Sequence, residues 1–274
     1  MSTSSDVRVR PARLSDYAAF VTLFPELAVP DPIPTEQRFA KELVPTAVVA
    51  ELGARGPEPI VGYAYFQLMG RTLYERHVIT GPTARRRGVG LALMEALRAH
   101  GLANACVDWC LNVKPDNDAG LALYRRVGMS EAFASVSLAV PWTVVPESAP
   151  AHAHAVRPID AGDDARVELA MRMIDGQLAT LRAVGPDRVL LMLEEGHGEV
   201  AGAAVFHPHF PGAYPFRVAR PELTLPMLAA LRPYAREADL VINVVVEGQA
   251  DVADALVSKG AIVTLSSVHM KGRL

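Results

Sequence analysis

Apolar residues recur along the chain with two spacings, every second residue and every third or fourth, and segments of the two kinds alternate. The strand-like runs of the first half are 7–12, 46–52, 59–69, 73–80, 105–113 and 133–140. Apolar residues at helical spacing occupy 15–27, 91–103 and 117–129, and a short helix is predicted near 36–43. This order predicts an α/β fold (α+β) with one antiparallel part and one βαβ part.

The second half of the chain repeats this order. Strand-like runs lie at 156–160, 189–195, 200–208 and 239–247, a helix is predicted at 163–182, and a last helix and strand lie within 253–270. The halves are separated by 141–155, which contains three prolines, a composition typical of a linker. We therefore predict two tandem domains, 1–145 and 156–274, joined by a linker at 146–155. Each should hold a mixed, mostly antiparallel sheet flanked by helices.

Composition places the chain among ordinary globular proteins and excludes some functions. Of 274 residues, 50% are hydrophobic and 21% charged, and the net charge is -3. A chain with this balance has no global attraction for nucleic acid or for an anionic membrane surface. The N-terminus lacks the apolar region of a signal peptide, and no apolar run of about 18 residues follows. We expect a cytoplasmic protein, monomeric or homodimeric, that binds neither nucleic acid nor membrane.

Two His-x-His pairs, His152 with His154 and His207 with His209, raise the question of a metal site. Neither pair has a cysteine or carboxylate at ligand spacing beside it, and the first lies in the predicted linker. We therefore predict no metal.

Positive charge is concentrated in one short segment, TARRRGVGLAL, at 83–93. Its three arginines and two glycines lie between a strand-like run and a helix-like run, where the open amides of a helix N-terminus attract anions. The glycines would let the backbone approach a phosphate, and the arginines would neutralise it, so the segment favours a diphosphate ligand. A solvent-exposed charge run is the alternative. The segment fits neither a P-loop, which needs Lys and Ser or Thr after the second glycine, nor a dinucleotide-binding GxGxxG.

Two motifs resemble those of the GCN5-related N-acetyltransferase (GNAT) superfamily. Arg85, Gly88 and Gly90 match its Arg-x-x-Gly-x-Gly pyrophosphate loop, and NDAGLALYRRVGM at 117–129 is similar to its Asn-x-x-Ala-x-x-Leu-Tyr-x-x-x-Gly-Phe segment. The second motif departs from the family pattern at Gly120 and Met129. The resemblance covers most of 7–140, whereas the second half resembles the family only in topology: in place of TARRRGVG it has ARPELTLP, without a glycine. The first domain is therefore expected to be catalytic and the second degenerate, serving as a scaffold, an acceptor-side wall or a dimer surface.

The resemblance implies acetyl-CoA as the co-substrate. Its pyrophosphate would bind the amides from Arg86 to Leu91, and its pantetheine would run along the end of the strand 73–80. The implied cofactor-binding residues are Ile79, Thr80, Arg85, Arg86, Arg87, Gly88, Val89, Gly90, Leu91, Asn117 and Tyr124. Tyr124 is similar in position to the tyrosine that protonates the leaving thiolate, although it could simply pack its ring. Asn117 could equally cap a helix.

The implied reaction also needs a base, because a lysine-like amine is protonated at neutral pH. Glu75 and His77, in the strand 73–80, are the candidates, and they share a face of that strand if no bulge intervenes. Asp108 and Asn112 are further candidates for contacts with the acceptor. Glu26, Asp31 and Glu36 make the loop 25–39 acidic, which would favour a cationic amine.

The sequence thus predicts an N-acetyltransferase that moves the acetyl group of acetyl-CoA to a primary amine, either a small molecule or a protein lysine. Tyr124 would be the general acid, and Glu75 or His77 the base. A protein that binds CoA for regulation or interaction without turnover is the alternative. The sequence leaves open the identity of the amine and whether the acyl group is longer than acetyl.

Overall fold

The computed structural model describes residues 7–29, 32–53, 59–147, 154–185 and 187–274. The strands are β1 (Val7–Pro11), β2 (Ala47–Leu52), β3 (Ile60–Met69), β4 (Thr72–Thr80), β5 (Asp108–Val113), β6 (Ser130–Pro141), β7 (Ala155–Pro158), β8 (Val189–Glu195), β9 (Glu199–His207), β10 (Gly212–Val218), β11 (Val241–Glu247) and β12 (Ile262–Arg273). The helices are α1 (Tyr17–Leu23), α2 (Glu36–Arg38), α3 (Val89–Ala103), α4 (Asp118–Arg126), α5 (Asp164–Ala170), α6 (Gln177–Val184), α7 (Thr224–Leu231) and α8 (Ala250–Ser258). The chain divides into two compact units: unit 1 is Met1–Glu131 with Met270–Leu274, and unit 2 is Ala132–His269.

Unit 1 is built on a sheet in the order β1-β2-β3-β4-β5, followed by the last residues of β12. The pairs from β1 to β4 are antiparallel, and β5 lies parallel to β4. We call the side of this sheet that packs against α1 the first face; its core includes Phe20, Phe24, Tyr63 and Tyr65. The opposite, second face packs against α3, as the contact between the rings of Phe66 and His100 illustrates.

Unit 2 has a sheet in the order β12-β6-β11-β10-β9-β8-β7. Strand β6 pairs antiparallel with β11 over seven residues, and β10 lies parallel to β11. The apolar core of this unit surrounds fully buried Phe206, Met227 and Leu228.

The division into units differs from the predicted boundaries at 145 and 156. The reason is that β6 hydrogen-bonds along β11, so residues from Ala132 onward belong to unit 2. The last five residues of the chain belong to unit 1, where the Leu274 amide donates to the Val107 carbonyl at 3.1 Å. In the predicted linker, 148–153 lie outside the described residues.

The predicted tandem repeat is visible in one ion cluster that occurs in both units. Arg10 pairs with Asp16 at 2.8 Å and with Glu51 at 2.7 Å. In unit 2, Arg157 pairs with Asp163 at 2.7 Å and with Glu194 at 3.0 Å. The first pair spans 6 residues in both units, and the second spans 41 in unit 1 and 37 in unit 2. The predicted α/β class, with mixed sheets flanked by helices, is confirmed.

Three elements of unit 2 differ from the prediction. The helix predicted at 163–182 is two helices, α5 and α6, because Gly176 has a left-handed φ of 75° and the buried Glu168 carboxylate accepts the amides of Gly176 and Leu178 at 2.8 and 2.7 Å. Strand β10 and helix α7 were not predicted. Each contains a proline, which argues against a regular element in a sequence. Pro215 lies within β10, and Pro226 lies in the first turn of α7, where proline is tolerated.

Candidate active site

The loop between β4 and α3 has the backbone of an anion site. Two residues, Arg86 with φ 63° and Gly88 with φ 83°, adopt the left-handed conformation, and α3 begins at Val89. The first helical hydrogen bond runs from the Ala92 amide to the Gly88 carbonyl at 3.0 Å. The amides of the helix's first turn precede this bond, so they have no partner within the helix and point towards the loop. Their dipole and the alternating backbone conformations form a nest for a phosphate.

Gly90 allows α3 and α4 to approach each other closely. A Cβ atom on Gly90 would lie 3.0 Å from Cδ2 of Leu123 and 3.6 Å from Oγ1 of Thr80. A larger residue here would push α4 away from the loop. The glycine therefore matters for packing as well as for a ligand's approach.

The three arginines of the loop have different surroundings. Arg85 forms an ion pair with Glu26, and its Nε donates to the Thr80 carbonyl at 3.4 Å. Arg86 and Arg87 are exposed. The charge of Glu26 is therefore directed at the loop, which weakens the prediction of an acidic acceptor loop. Of the other two predicted acids, Glu36 is exposed in α2 and Asp31 lies outside the described residues.

Strands β4 and β5 separate beside this loop. Their parallel pairing joins Thr72 to Asp108, Leu73 to Trp109 and Tyr74 to Cys110, and it extends no further in the described residues. Beyond this point the edges of both strands are open to a ligand that adds backbone-like hydrogen bonds. Ile79 and Thr80 lie on the open edge of β4; Ile79 is buried in the first-face core and Thr80 is half-buried.

Glu75 and Tyr124 meet where the strands separate. The Tyr124 hydroxyl, on α4, donates to Oε1 of Glu75 at 3.3 Å, longer than the usual O–H···O distance. Glu75 is only 4% exposed, and its Oε2 has no hydrogen-bond partner among the described residues. Burial raises the pKa of Glu75 to about 8, with Tyr124 opposing the shift. Burial and the Glu75 carboxylate raise the pKa of Tyr124.

A bulge in β4 separates the two predicted bases. Glu75 lies opposite Phe66 and His77 opposite Tyr65, so Arg76 is an extra residue between them. Because Tyr65 and Phe66 are neighbours on β3, their partners lie on opposite faces. Glu75 and His77 were expected to share a face only in the absence of a bulge, and with the bulge they lie on opposite faces.

His77 lies on the first face, in aromatic surroundings. Its ring contacts those of Phe24, Tyr63 and Tyr65, and its Nδ1 is 3.4 Å from the Tyr63 hydroxyl. Burial, with the nearby charges of Arg76 and Arg38, lowers the pKa of His77 to about 3. The imidazole is therefore neutral and a weak base at neutral pH.

Asn117 caps α4. Its Oδ1 accepts the Gly120 amide at 2.9 Å, and its side chain occupies the space that a Cβ on Gly120 would need, at 2.7 Å from Nδ2. The departure from alanine at position 120 thus suits the capping rotamer of Asn117. The capping alternative for this residue is confirmed, and Asn117 is also exposed at the end of β5.

The first face adds polar groups beside the gap, of which the sequence singled out Asn112 but not Tyr74, Gln67 or Arg76. Asn112 Nδ2 donates to the Tyr74 hydroxyl at 2.9 Å, and Gln67 Nε2 donates to the Tyr65 hydroxyl at 3.1 Å. The Arg76 guanidinium lies 4.7 Å from the centre of the Tyr74 ring. Arg76 shares this face with Tyr74 by simple alternation, whereas the bulge brings His77 to it, and a bulge cannot be read from the alternation of residues in β4. The remaining acceptor candidate, Asp108, pairs with Arg273 at 3.0 Å at the paired end of β5.

Among the described residues, no three His, Cys, Asp or Glu side chains converge as a metal site requires. His207 accepts the Phe210 amide through Nδ1 at 3.0 Å, while His209 approaches Asp187 at 3.6 Å; His152 lies outside the described residues. No described helix combines the length and apolar character needed to cross a membrane.

Residues 17–129 match the model of the acetyltransferase (GNAT) family. A segment of 81 residues is 41% identical to N-alpha-acetyltransferase RimI of Mycobacterium tuberculosis, covering 28% of this chain and 49% of that protein. The chain thus spans about half the length of this relative. Both motifs lie within the segment that matches the family model.

Two solved structures share the fold along nearly the whole chain. A GCN5-related N-acetyltransferase from Sphaerobacter thermophilus has a TM-score of 0.65 and 14% identity, with 99% of this chain and 97% of that one covered. A tandem GNAT protein from the clavulanic acid biosynthesis pathway has a TM-score of 0.56 and 15% identity, with coverages of 97% and 98%. At such identities the likeness establishes the fold alone.

Proposed function

We propose that unit 1, in which residues 17–129 match the model of the GNAT family, is an N-acetyltransferase that moves the acetyl group of acetyl-CoA to a primary amine. The observation that carries the proposal is the Glu75–Tyr124 pair, buried where β4 and β5 separate and close to the anion-binding loop. Buried groups with shifted pKa values beside a ligand-sized opening are typical of catalytic sites.

The donor would bind along the loop and the open edge of β4. The pyrophosphate would accept the amides of the first turn of α3, with Arg86 and Arg87 neutralising its charge. The pantetheine would extend the sheet beside Ile79 and Thr80. Arg85 would exchange Glu26 for a phosphate oxygen or retain the ion pair at the edge of the loop. This places the thioester near the point where the strands separate.

The amine nitrogen attacks the thioester carbonyl carbon, a C–N bond forms, and the C–S bond breaks. The amine loses a proton, and the CoA thiolate gains one. We assign Glu75 rather than His77 as the base, because a carboxylate with a pKa of about 8 holds a proton far better than an imidazole with a pKa of about 3.

Tyr124 would connect the two proton transfers. A phenol with a raised pKa is a poor acid on its own towards a thiolate, whose conjugate acid has a pKa of about 8.5. The hydrogen bond to Glu75 removes this difficulty: the proton that Glu75 takes from the amine passes to Tyr124 as Tyr124 protonates the sulfur. The net transfer, from Glu75 to the thiolate, joins groups of nearly equal pKa.

The acceptor remains the open part of this proposal. The similarity to a protein named as an N-alpha-acetyltransferase adds a peptide α-amine to small-molecule amines and lysine side chains as candidates. In the part of unit 2 that the structure describes, Glu75, Tyr124 and the loop have no counterparts, so we assign this unit no turnover. We retain the predictions of a cytoplasmic protein without a metal.

The test is the release of free CoA from acetyl-CoA with a panel of small amines, lysine peptides and peptides with free N-termini. Amine-dependent release that is lost in Glu75→Gln would support the proposal. Stabilisation of the fold by acetyl-CoA with no release across the panel would favour a CoA-binding protein without turnover. If acetyl-CoA does not stabilise the fold and no CoA is released, both functions are contradicted.

A further inference from the structure

One short segment after α1 carries the carboxylate that pairs with an arginine of the anion-binding loop. The segment is a 3-10 turn, Phe24–Leu27, followed by Ala28, and we call residues 24–28 the strap. Phe24 is buried, and its ring contacts that of His77 on the first face. The strap is therefore anchored at its first residue in the core of unit 1.

Two polar contacts hold the strap, one at the end of each of the separating strands. The Glu26 carboxylate pairs with Arg85, in the loop that follows β4. Lys114, the residue after β5, donates through its ammonium group to the Ala28 carbonyl. The strap therefore bridges the gap between β4 and β5, with a contact on each side.

The Arg85 guanidinium lies where the donor is proposed to bind. Its Nε atom donates to the Thr80 carbonyl at 3.4 Å. The next amide in the chain, that of Gly81, donates to the Val61 carbonyl of β3. Because successive residues of an antiparallel strand point their N–H and C=O groups to alternate sides, Thr80 directs its carbonyl away from β3, towards the gap. Arg85 therefore reaches from the edge that would bind the pantetheine to the Glu26 carboxylate.

A carboxylate and a phosphate use the same donors of a guanidinium, so Glu26 offers Arg85 the kind of partner that a donor phosphate would offer. The side chains of Arg85 and Glu26 are 55% and 31% exposed, which makes their contact a surface ion pair of modest strength. A diphosphate carries more negative charge than a carboxylate, so it can displace Glu26 from Arg85.

We propose that Glu26 is an internal competitor of the donor: its carboxylate holds Arg85 in the free protein, and a phosphate of acetyl-CoA takes its place. The strap then loses its contact with the loop and keeps its contact with Lys114. This inference rests on the proposed acetyl transfer, and it decides which of the two outcomes for Arg85 occurs. Glu26 thereby lowers the affinity for the donor and couples donor binding to release of the strap.

The first experiment measures the dissociation constant of acetyl-CoA by calorimetry for the wild type, Glu26→Gln and Glu195→Gln. Glu195 is the matched control, because it pairs with Arg220 in unit 2 and the exposures of arginine and glutamate are similar, 48% and 22%. Glu26→Gln should bind acetyl-CoA about threefold more tightly than the wild type, as expected for a surface ion pair, and Glu195→Gln should bind as the wild type does. Equal or weaker binding in Glu26→Gln would overturn the inference, and weaker binding would show that Glu26 positions Arg85 for the donor instead.

A second pair of variants separates competition for Arg85 from a general effect of charge. In Arg85→Gln the guanidinium is absent, so the further change Glu26→Gln should give little or no gain in affinity. A gain of about threefold in this background would mean that Glu26 merely repels the donor through its charge, and it would overturn the inference.

Hydrogen exchange of the wild type, with and without acetyl-CoA, tests the release of the strap. Acetyl-CoA should slow the exchange of the amides at 89–91 and speed the exchange of those in the strap. Slower exchange in both segments would show that the strap stays in place over the donor, which would overturn the inference and leave the donor site standing. If the wild type does not bind acetyl-CoA at all, the proposed function fails, and this inference fails with it.

Discussion

The two units share a scaffold but differ at the gap between their parallel strands. In both, an arginine near the end of the first strand pairs with two carboxylates. The amide that follows the fourth strand donates to a carbonyl of the third strand, Gly81 to Val61 and Ala219 to Ala201, at 2.8 Å each. These matches align unit 2 with unit 1 without reference to side-chain chemistry. The features needed to fold one sheet have thus been kept twice.

The ionisable pair of unit 1, Glu75 and Tyr124, has apolar counterparts in unit 2. Phe66 pairs with Glu75 in unit 1, and its counterpart Phe206 pairs with Ala213 in unit 2. The residue that accepts the first amide after the glycine at the end of the helix is Tyr124 in unit 1 and Leu256 in unit 2. An ionisable pair has been replaced by two apolar side chains.

The loop and the gap between the parallel strands also differ between the units, and in unit 2 neither is suited to a ligand. In unit 2 a short 3-10 turn, Pro221–Leu223, leads directly into α7, so the counterpart of Arg85–Gly88 is missing. Beyond its paired residues, the gap between β10 and β11 is bridged by Arg217, which pairs with Glu247 at 2.8 Å. An opening for a ligand in unit 1 is an ion pair in unit 2. The comparison separates residues that fold the sheet from residues that act on a substrate.

The largest effect is expected for Tyr124→Phe. Loss of the hydroxyl removes the proton donor and the link to Glu75, so turnover should fall by about 10²- to 10⁴-fold, as for a general acid. Binding of acetyl-CoA should change little. Leu256→Ala, at the matching position of unit 2, is the control and should not reduce turnover beyond its effect on stability. Stopped-flow release of CoA and calorimetric binding measure the two quantities; equal losses of both in Tyr124→Phe would contradict the assignment.

A smaller effect, on stability, is expected for Glu75→Gln. Since the pKa of Glu75 is raised in the folded state to about 8, the fold binds this proton more tightly than the unfolded chain does. Stability from this group is therefore full at low pH and is lost as the pH rises towards 8. Glu75→Gln should abolish this loss and be more stable than the wild type at pH 8 by on the order of 2 to 4 kcal/mol, and much less so at pH 5. Denaturant titrations at both pH values provide the measurement. The stability difference between Glu75→Gln and the wild type is compared at the two pH values. If the variant gained less stability at pH 8 than at pH 5, the carboxylate would not be buried and unpaired.

A further prediction concerns the loop glycine. Gly88 and Gly198 have similar left-handed φ values, 83° and 91°, in different units, so Ala should cost each about 1 kcal/mol of stability. Gly88→Ala should also weaken acetyl-CoA binding by about tenfold, because the loop amides lose their alignment. Gly198→Ala should bind as the wild type does. Equal affinities of the two variants would place the donor elsewhere.

The smallest difference is expected between the two ion clusters. Arg10 is more buried than Arg157, with 16% and 38% of the side chain exposed, and its partners Asp16 and Glu51 are also largely buried. Removing a buried partner leaves uncompensated charge, so Arg10→Ala should destabilise the fold more than Arg157→Ala. Thermal unfolding of both variants measures the two losses of stability. A larger loss of stability in Arg157→Ala than in Arg10→Ala would contradict this expectation.

The sequence predicted the fold better than the site. Alternation and helical spacing located the strands and helices of unit 1, and TARRRGVGLAL located the loop between β4 and α3 to which we assign anion binding, since both depend on neighbouring residues. The sequence could not predict that β6 pairs with β11, because no local pattern records the pairing of strands about 100 residues apart. The sequence also could not predict that Glu75 and His77 lie on opposite faces, because a bulge depends on the partner strand. The ion pair of Glu26 with Arg85 spans 59 residues, and no local pattern records it.

The most direct test of the account is the pH dependence of kcat/KM for CoA release by the wild type and by Glu75→Gln, measured with one amine. The account predicts that the wild-type rate rises with pH as Glu75 loses its proton near pH 8, beyond the rise from the amine itself. The variant should be slower by about 10²-fold or more and should show only the contribution of the amine. Equal rates and equal profiles for the two proteins would contradict the claim that unit 1 acts through Glu75.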